Sequence, residues 1–153
     1  MTLGLVSDQE QLVVFEVADE SFGIDINAVQ EIIRLQQITE VPRAPMHVKG
    51  VINLRGKVIP VVDLREKLGF MQGEETKSSR IVVVDIAGTT VGMIVDAVSE
   101  VLRISSEQIE EPSSIIESYE QYLRGIGKVE NRLVLLLDLE KVLPEAAAMK
   151  VAA

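Results

Sequence analysis

One histidine and no cysteine limit what this chain can do chemically. Without cysteine there is no disulfide, no Cys-ligated zinc or iron–sulfur centre and no thiol nucleophile. His47 follows Pro42-Arg-Ala-Pro45 in a loop-like stretch. A histidine base needs a nucleophile and an orienting carboxylate beside it, and no Gly-x-Ser-x-Gly elbow is present. His47 therefore reads as a surface residue. The glycines at 50 and 56, with Lys57, do not make a phosphate loop. The glycine spacing is one residue too long, and Val58 stands where the magnesium-binding hydroxyl belongs. Asp25, Asp63, Asp85, Asp96 and Asp138 fall near predicted strand ends. Helix capping explains Asp63, Asp96 and Asp138, and no Asp-x-Asp cluster occurs. The reading is no catalytic residue, no metal and no cofactor.

The elements must then come from aliphatic residues. Val, Ile and Leu supply 52 of 153 positions, and their β-branched excess favours strands. No uncharged apolar run is long enough to cross a membrane as a helix. Met1–Glu10 lacks the basic start and apolar core of a secretory leader. A net charge of −9 argues against nucleic acid as a partner. Three Phe, two Tyr and no Trp offer little stacking surface. The expectation is a soluble, acidic, β-rich cytoplasmic domain with no membrane insertion.

The chain repeats itself. Ser21-Phe-Gly-Ile-Asp-Ile-Asn-Ala-Val-Gln-Glu-Ile-Ile-Arg34 matches Thr90–Arg103 at a constant offset of 69. Gly, Ala, Val, Glu and Arg coincide, and Ile32 pairs with Val101 and Ile33 with Leu102. Gly50–Leu64 matches Gly125–Leu139 at an offset of 75. The order is A1 (12–34), B1 (50–69), A2 (80–103), B2 (125–143), flanked by a flexible segment 1–11 and a tail 144–153. Two copies are too few for a solenoid and imply two similar lobes.

Each A unit reads as a hairpin, turning at Ala18–Ser21 or Ala87–Thr89, followed by a helical turn capped by Asn27 or Asp96. Gln30 falls at the capping-box position of the first copy. Each B unit reads as a hairpin turning at Arg55-Gly56 or Glu130-Asn131, then a helix capped by Asp63 or Asp138. Gly69 closes the first helix. Pro60 in a return strand implies an edge or a bulge. About ten short strands with regular turns suggest barrels or a sandwich, with 105–121 irregular and acidic. Cations at Arg43, Lys49, Arg55 and Lys57 contrast with that acidic stretch, so opposite ends of neighbouring molecules could attract. Equivalent apolar residues of the A units (Val29, Ile33, Val98, Val101 and Leu102) are candidates for an inter-lobe groove or for core.

Lys49–Leu64, with Asn-Leu-Arg-Gly followed by Pro-Val-Val-Asp-Leu, resembles the signature of the CheW-like family of chemotaxis coupling domains. Phe22–Ile32, Val91–Val101 and Tyr122–Gly127 match in place and order, so the resemblance runs from about Leu12 to Leu143. It implies a mainly β fold: two pseudo-symmetric five-stranded SH3-like β-barrels around a common hydrophobic core, with a few short helices. It implies a non-catalytic adaptor between the cytoplasmic tip of chemoreceptors and the regulatory domain of the histidine kinase CheA. Val29, Ile33, Val98 and Val101 would then line the receptor groove. Glu31 and Arg55 would form a supporting, partly buried ion pair. Glu100 repeats Glu31, but Glu130 stands where Arg55 stood, so the second lobe is expected to lack the pair and the adaptor to be asymmetric. The kinase face is expected around Ile38, Val41 and Arg43, and a second contact at Glu110 and Ile115. Two alternatives stay open. One is a small-molecule binder or enzyme using His47, Arg55, Asp25 and Asn53 between the lobes; the other is a coupler serving a different receptor–kinase pathway.

Overall fold

The computed structural model describes residues 9–44, 47–71, 73–112 and 120–143. Among them the chain is mainly β. The strands are β1 (Gln9–Val17), β2 (Glu20–Asp25), β3 (Val29–Arg34), β4 (Val48–Leu54), β5 (Lys57–Asp63), β6 (Arg80–Ile86), β7 (Thr89–Val95), β8 (Ala97–Ser105), β9 (Ile109–Glu110), β10 (Leu123–Val129) and β11 (Arg132–Leu137). Two four-residue helices, α1 (Leu64–Lys67) and α2 (Leu139–Val142), follow the B hairpins.

The first sheet runs β8-β1-β2-β11-β10-β9 and the second β3-β6-β7-β5-β4. Each sheet therefore joins the A hairpin of one repeat, the B hairpin of the other half of the chain, and the third strand of the opposite A unit. Strand β3 leaves its own hairpin to pair with β6, and β8 leaves its own to pair with β1. Parallel pairings of β2 with β11 and β5 with β7 repeat the relation.

Both faces of the central strands are buried, which explains their near-continuous apolar runs. On β1, Leu12 and Val14 enter the interior of the first lobe, while Val13, Phe15 and Val17 enter a shared core. On β6, Ile81 and Val83 enter the second lobe, while Val82, Val84 and Ile86 enter the shared core. Phe15 and Phe22 stack there at 6.2 Å between centroids.

Each sheet curls so that its ends approach. In the second lobe Thr39 exchanges two backbone hydrogen bonds with Val51, at 2.9 and 2.8 Å. In the first, β9 pairs with Ile126 and Gly127 of β10. Glycines at equivalent positions admit these closing segments. A Cβ on Gly50 would lie 2.2 Å from the Thr39 carbonyl oxygen, and one on Gly125 would lie 2.7 Å from Ile109 Cγ2.

Several local expectations change. Residues 9–11 belong to β1 and not to a flexible segment; 1–8 and 144–153 lie outside the described residues. The first ladder has six strands because β9 adds a sixth. Part of the stretch expected to be irregular is ordered: Ser105 and Gln108 form a capping box on a 3-10 turn ahead of β9. Asp25, not Asn27, caps the 3-10 turn Ile26–Ala28, accepting from the Asn27 N–H at 2.9 Å. Asp96 caps nothing; the chain passes directly from β7 to β8. Asp63 and Asp138 do cap α1 and α2. Pro60 lies inside an internal strand without losing a ladder bond. Its partner Val51 directs its hydrogen bonds to Thr39, so the pair is the non-hydrogen-bonded kind, and pairing with β7 begins only at Val61.

The glycine geometry makes a graded prediction. Gly50→Ala pushes a methyl into backbone and should cost roughly 2–4 kcal/mol, whereas Gly125→Ala meets a movable Ile109 methyl and should cost roughly 1–2 kcal/mol. Urea unfolding of both variants checks the order.

Candidate functional site

The third strands carry the surface of interest. Each contains a β-bulge one residue before its glutamate, at Gln30 in β3 and Ser99 in β8. The bulge shifts parity, so residues three apart share a face. Val29 lies opposite Val84 and Ile32 opposite Val82, both on the shared-core side. Val98 lies opposite Phe15 and Val101 opposite Val13, on the same side of the other sheet. Val29 and Val98 are partly buried against the shared core. Ile32 and Val101 are 40 % and 52 % exposed. Ile33, expected in the groove, instead packs inside the second lobe with Leu35 and Ile38, as Leu102 packs inside the first. The exposed equivalent of Val101 is Ile32. Val58 and Leu133, equivalent in the B hairpins, are also exposed.

Glu31 and Glu100 point to the lobe interiors, opposite Val83 and Val14. Glu31 accepts a bidentate fork from Arg55 in the β4–β5 turn, with Arg55 Nη1 3.1 Å from Oε1. This pair ties the edge strand β3 to the hairpin at the far end of the same curled sheet. Arg55 is mostly exposed, not partly buried as expected, and Glu31 is the more covered partner. The lobe that holds Glu100, expected to lack such a pair, makes its own. Arg132, two residues beyond the position equivalent to Arg55, reaches Glu100. A long guanidinium side chain spans that shift across the hairpin, so the lack of arginine at 130 removes no contact and gives no ground for asymmetry.

Of the residues expected at a kinase face, Ile38 packs on the second lobe's interior, Val41 is half-buried and Arg43 is exposed with φ of 61°. Glu110 is exposed and bound to Lys128 at 2.8 Å. Ile115 lies outside the described residues.

Beside α1 lies a recess of about 200 Å³ whose charged lining includes Lys49, Asp63, Arg65 and Asp96. Arg65 reaches Asp96 at 2.7 Å, and the same carboxylate oxygen accepts the Ala18 N–H at 2.8 Å, pinning α1 to the β1–β2 turn. Lys49 lies 3.1 Å from Glu66 and 4.0 Å from Asp63. Burial pushes the Asp63 carboxyl up, partly offset by Lys49 and by the Arg65 N–H. The four polar groups a small-molecule site would need do not converge. Arg55 holds Glu31, Asn53 accepts the Gly56 N–H at 2.9 Å, and Asp25 caps its turn. His47 is half-buried, not a surface residue, and its carbonyl accepts the Asp63 N–H at 3.3 Å. Among the described residues no group of acids and histidines is placed to hold a metal ion, and no helix is long and apolar enough to cross a membrane.

The family model described as "CheW-like domain" matches residues 11–147. The chain belongs to the CheW-like family. It is 38% identical over 141 residues to chemotaxis protein CheW of Rhizobium meliloti, covering 92% of this chain and 91% of that one. Chemotaxis protein CheW of Thermotoga maritima is 33% identical over 144 residues, 94% of each. Among solved structures, scaffolding protein TtCheW from Thermoanaerobacter tengcongensis superposes with a TM-score of 0.81 and 37% identity, covering 88% of this chain and 87% of that one. CheW-like domains are non-catalytic scaffolds of chemotaxis, and the two-sheet architecture of this chain matches that solved structure.

Two predictions concern the charges. Coupling between Glu100 and Arg132, measured by a double-mutant cycle to alanine in urea, should be about 0.2–1 kcal/mol, as for other exposed pairs. Folding raises the Asp63 pKa, so the native state holds that proton more tightly than the unfolded chain. The stabilisation is full below the ordinary value of 3.8 and is lost as pH rises through the raised value. Asp63→Asn keeps an Oδ1 acceptor for α1. Its stability relative to the parent should rise between pH 4 and pH 7, read from urea midpoints.

Proposed function

We propose that the chain is the adaptor that couples the cytoplasmic tip of chemoreceptors to the regulatory domain of the histidine kinase CheA, working in the cytoplasm at receptor arrays. The observation that carries this reading is the CheW-like match over nearly the whole chain. The surface supports it: equivalent apolar residues on the third strands are exposed beside hairpins braced by the Glu31–Arg55 and Glu100–Arg132 pairs. The receptor helix docks on the shared-core side of β3, over Val29 and Ile32, with the Glu31–Arg55 pair fixing the β4–β5 hairpin against it. Val98 and Val101 form the corresponding surface on β8. The kinase domain takes the end bearing Ile38, Val41 and Arg43, and Glu110 serves a second contact once released from Lys128. Coupling then requires that the adaptor bind the two receptor states with different free energies.

The purified chain should retain both a receptor signalling-tip fragment and the CheA regulatory domain in a pull-down. Arg55→Glu places a like charge against Glu31 and should lower receptor retention about tenfold or more, with kinase-domain retention and the circular dichroism spectrum unchanged. Unchanged receptor retention would remove the Glu31–Arg55 assignment. Loss of both baits by the folded parent chain would remove the adaptor reading.

A further inference from the structure

A different feature of the second lobe points to a ligand. At the end of β3, Arg34 lies directly opposite Arg80 of β6 in antiparallel register. Like charges at such a position repel and destabilise the pairing. Lys77, in the segment leading into β6, adds a third cation. These three residues, with Leu35, Thr76 and Ser79, line a recess of about 440 Å³ that has no carboxylate among its described lining residues. None of the three cations forms an ion pair among the described residues, in a chain of net charge −9.

The local structure is organised. The Thr76 N–H donates to Ser79 Oγ at 2.9 Å and the Ser79 N–H to the Thr76 carbonyl at 3.1 Å, closing a tight turn. Arg80 Nη1 donates to the Lys77 and Ser79 carbonyls, both at 2.8 Å. That anchors one side of its guanidinium and leaves the other N–H groups free. The twin lobe acts as an internal control. The residues equivalent to Arg80 and Arg34 are Gln11 and Arg103, which also lie in register. The fold makes this strand pair with glutamine opposite arginine, so it does not require the second guanidinium.

We propose that the recess is an oxyanion-binding site, in which Arg34, Arg80 and Lys77 receive a phosphate or carboxylate group. Planar guanidinium forks suit such groups, and a bound anion cancels the cross-strand repulsion. The site adjoins the β3 face assigned to the receptor, Arg34 lying two residues beyond Ile32, but it is tested on the isolated chain, with neither receptor nor kinase present.

The test is thermal unfolding of the full chain with sodium phosphate, pyrophosphate or citrate, against sodium chloride at equal ionic strength. An oxyanion at about ten times its Kd should raise the midpoint by roughly 3–5 °C over chloride. The rise should vanish in Arg34→Gln combined with Lys77→Gln and persist in Arg103→Gln. Without oxyanion, Arg34→Gln should unfold no earlier than the parent. A response to phosphate and pyrophosphate alone identifies a phosphoryl ligand, and an equal response to citrate a carboxylate one; both support the site. No response beyond chloride, or an equal response in the Arg34→Gln/Lys77→Gln variant, overturns it.

Discussion

The crossing of β3 and β8 between sheets is the constraint on which the rest of the molecule depends. A hairpin has two faces and two edges, and neither repeat can bury all of them alone. Each lobe is completed by a third strand from the other repeat, so the lobes share one core and one folding problem. The shared core contains Phe15, Phe22, Val82 and Met93, while the lobe interiors are smaller and purely aliphatic. A molecule built this way does not come apart into two barrels.

The same strands make the surface. A bulge in each brings residues three apart onto the side that faces the partner lobe, and the outermost of these, Ile32 and Val101, stay exposed. The intervening glutamate turns inward and is met by an arginine from a hairpin at the other end of the sheet. These ion pairs are exposed and contribute little to stability. Their consequence is positional: they hold the hairpin beside the exposed strand face. The two lobes thus present related surfaces that differ in side-chain detail, notably Ile32 against Val101 and Val58 against Leu133.

Much of this was legible in the sequence. The repeat offsets of 69 and 75, the tight turns at Arg55-Gly56 and Glu130, and the caps at Asp63 and Asp138 all follow from local rules, and the structure carries them. The strand crossing was not legible, because similarity between repeats says which elements correspond and not which of them pair. Ile33 was misplaced for a related reason. Composition marks Ile32 and Ile33 alike as apolar, and only the strand with its bulge at Gln30, which the sequence does not announce, puts Ile32 on the face of Val29 and turns Ile33 inward. The Arg132–Glu100 pair was missed because position-by-position alignment ignores the reach of a long side chain. The capping box at Ser105–Gln108 was readable from spacing alone but lay in a stretch judged by its acidity.

Hydrogen–deuterium exchange of the full chain, with and without a receptor signalling-tip fragment, tests the assigned docking surface most directly. The account predicts slowed exchange in 29–34 and in the 53–58 turn, with 38–43 unaffected until the CheA regulatory domain is added. Receptor-induced protection confined to 38–43 or to 107–112, with β3 unchanged, would contradict it.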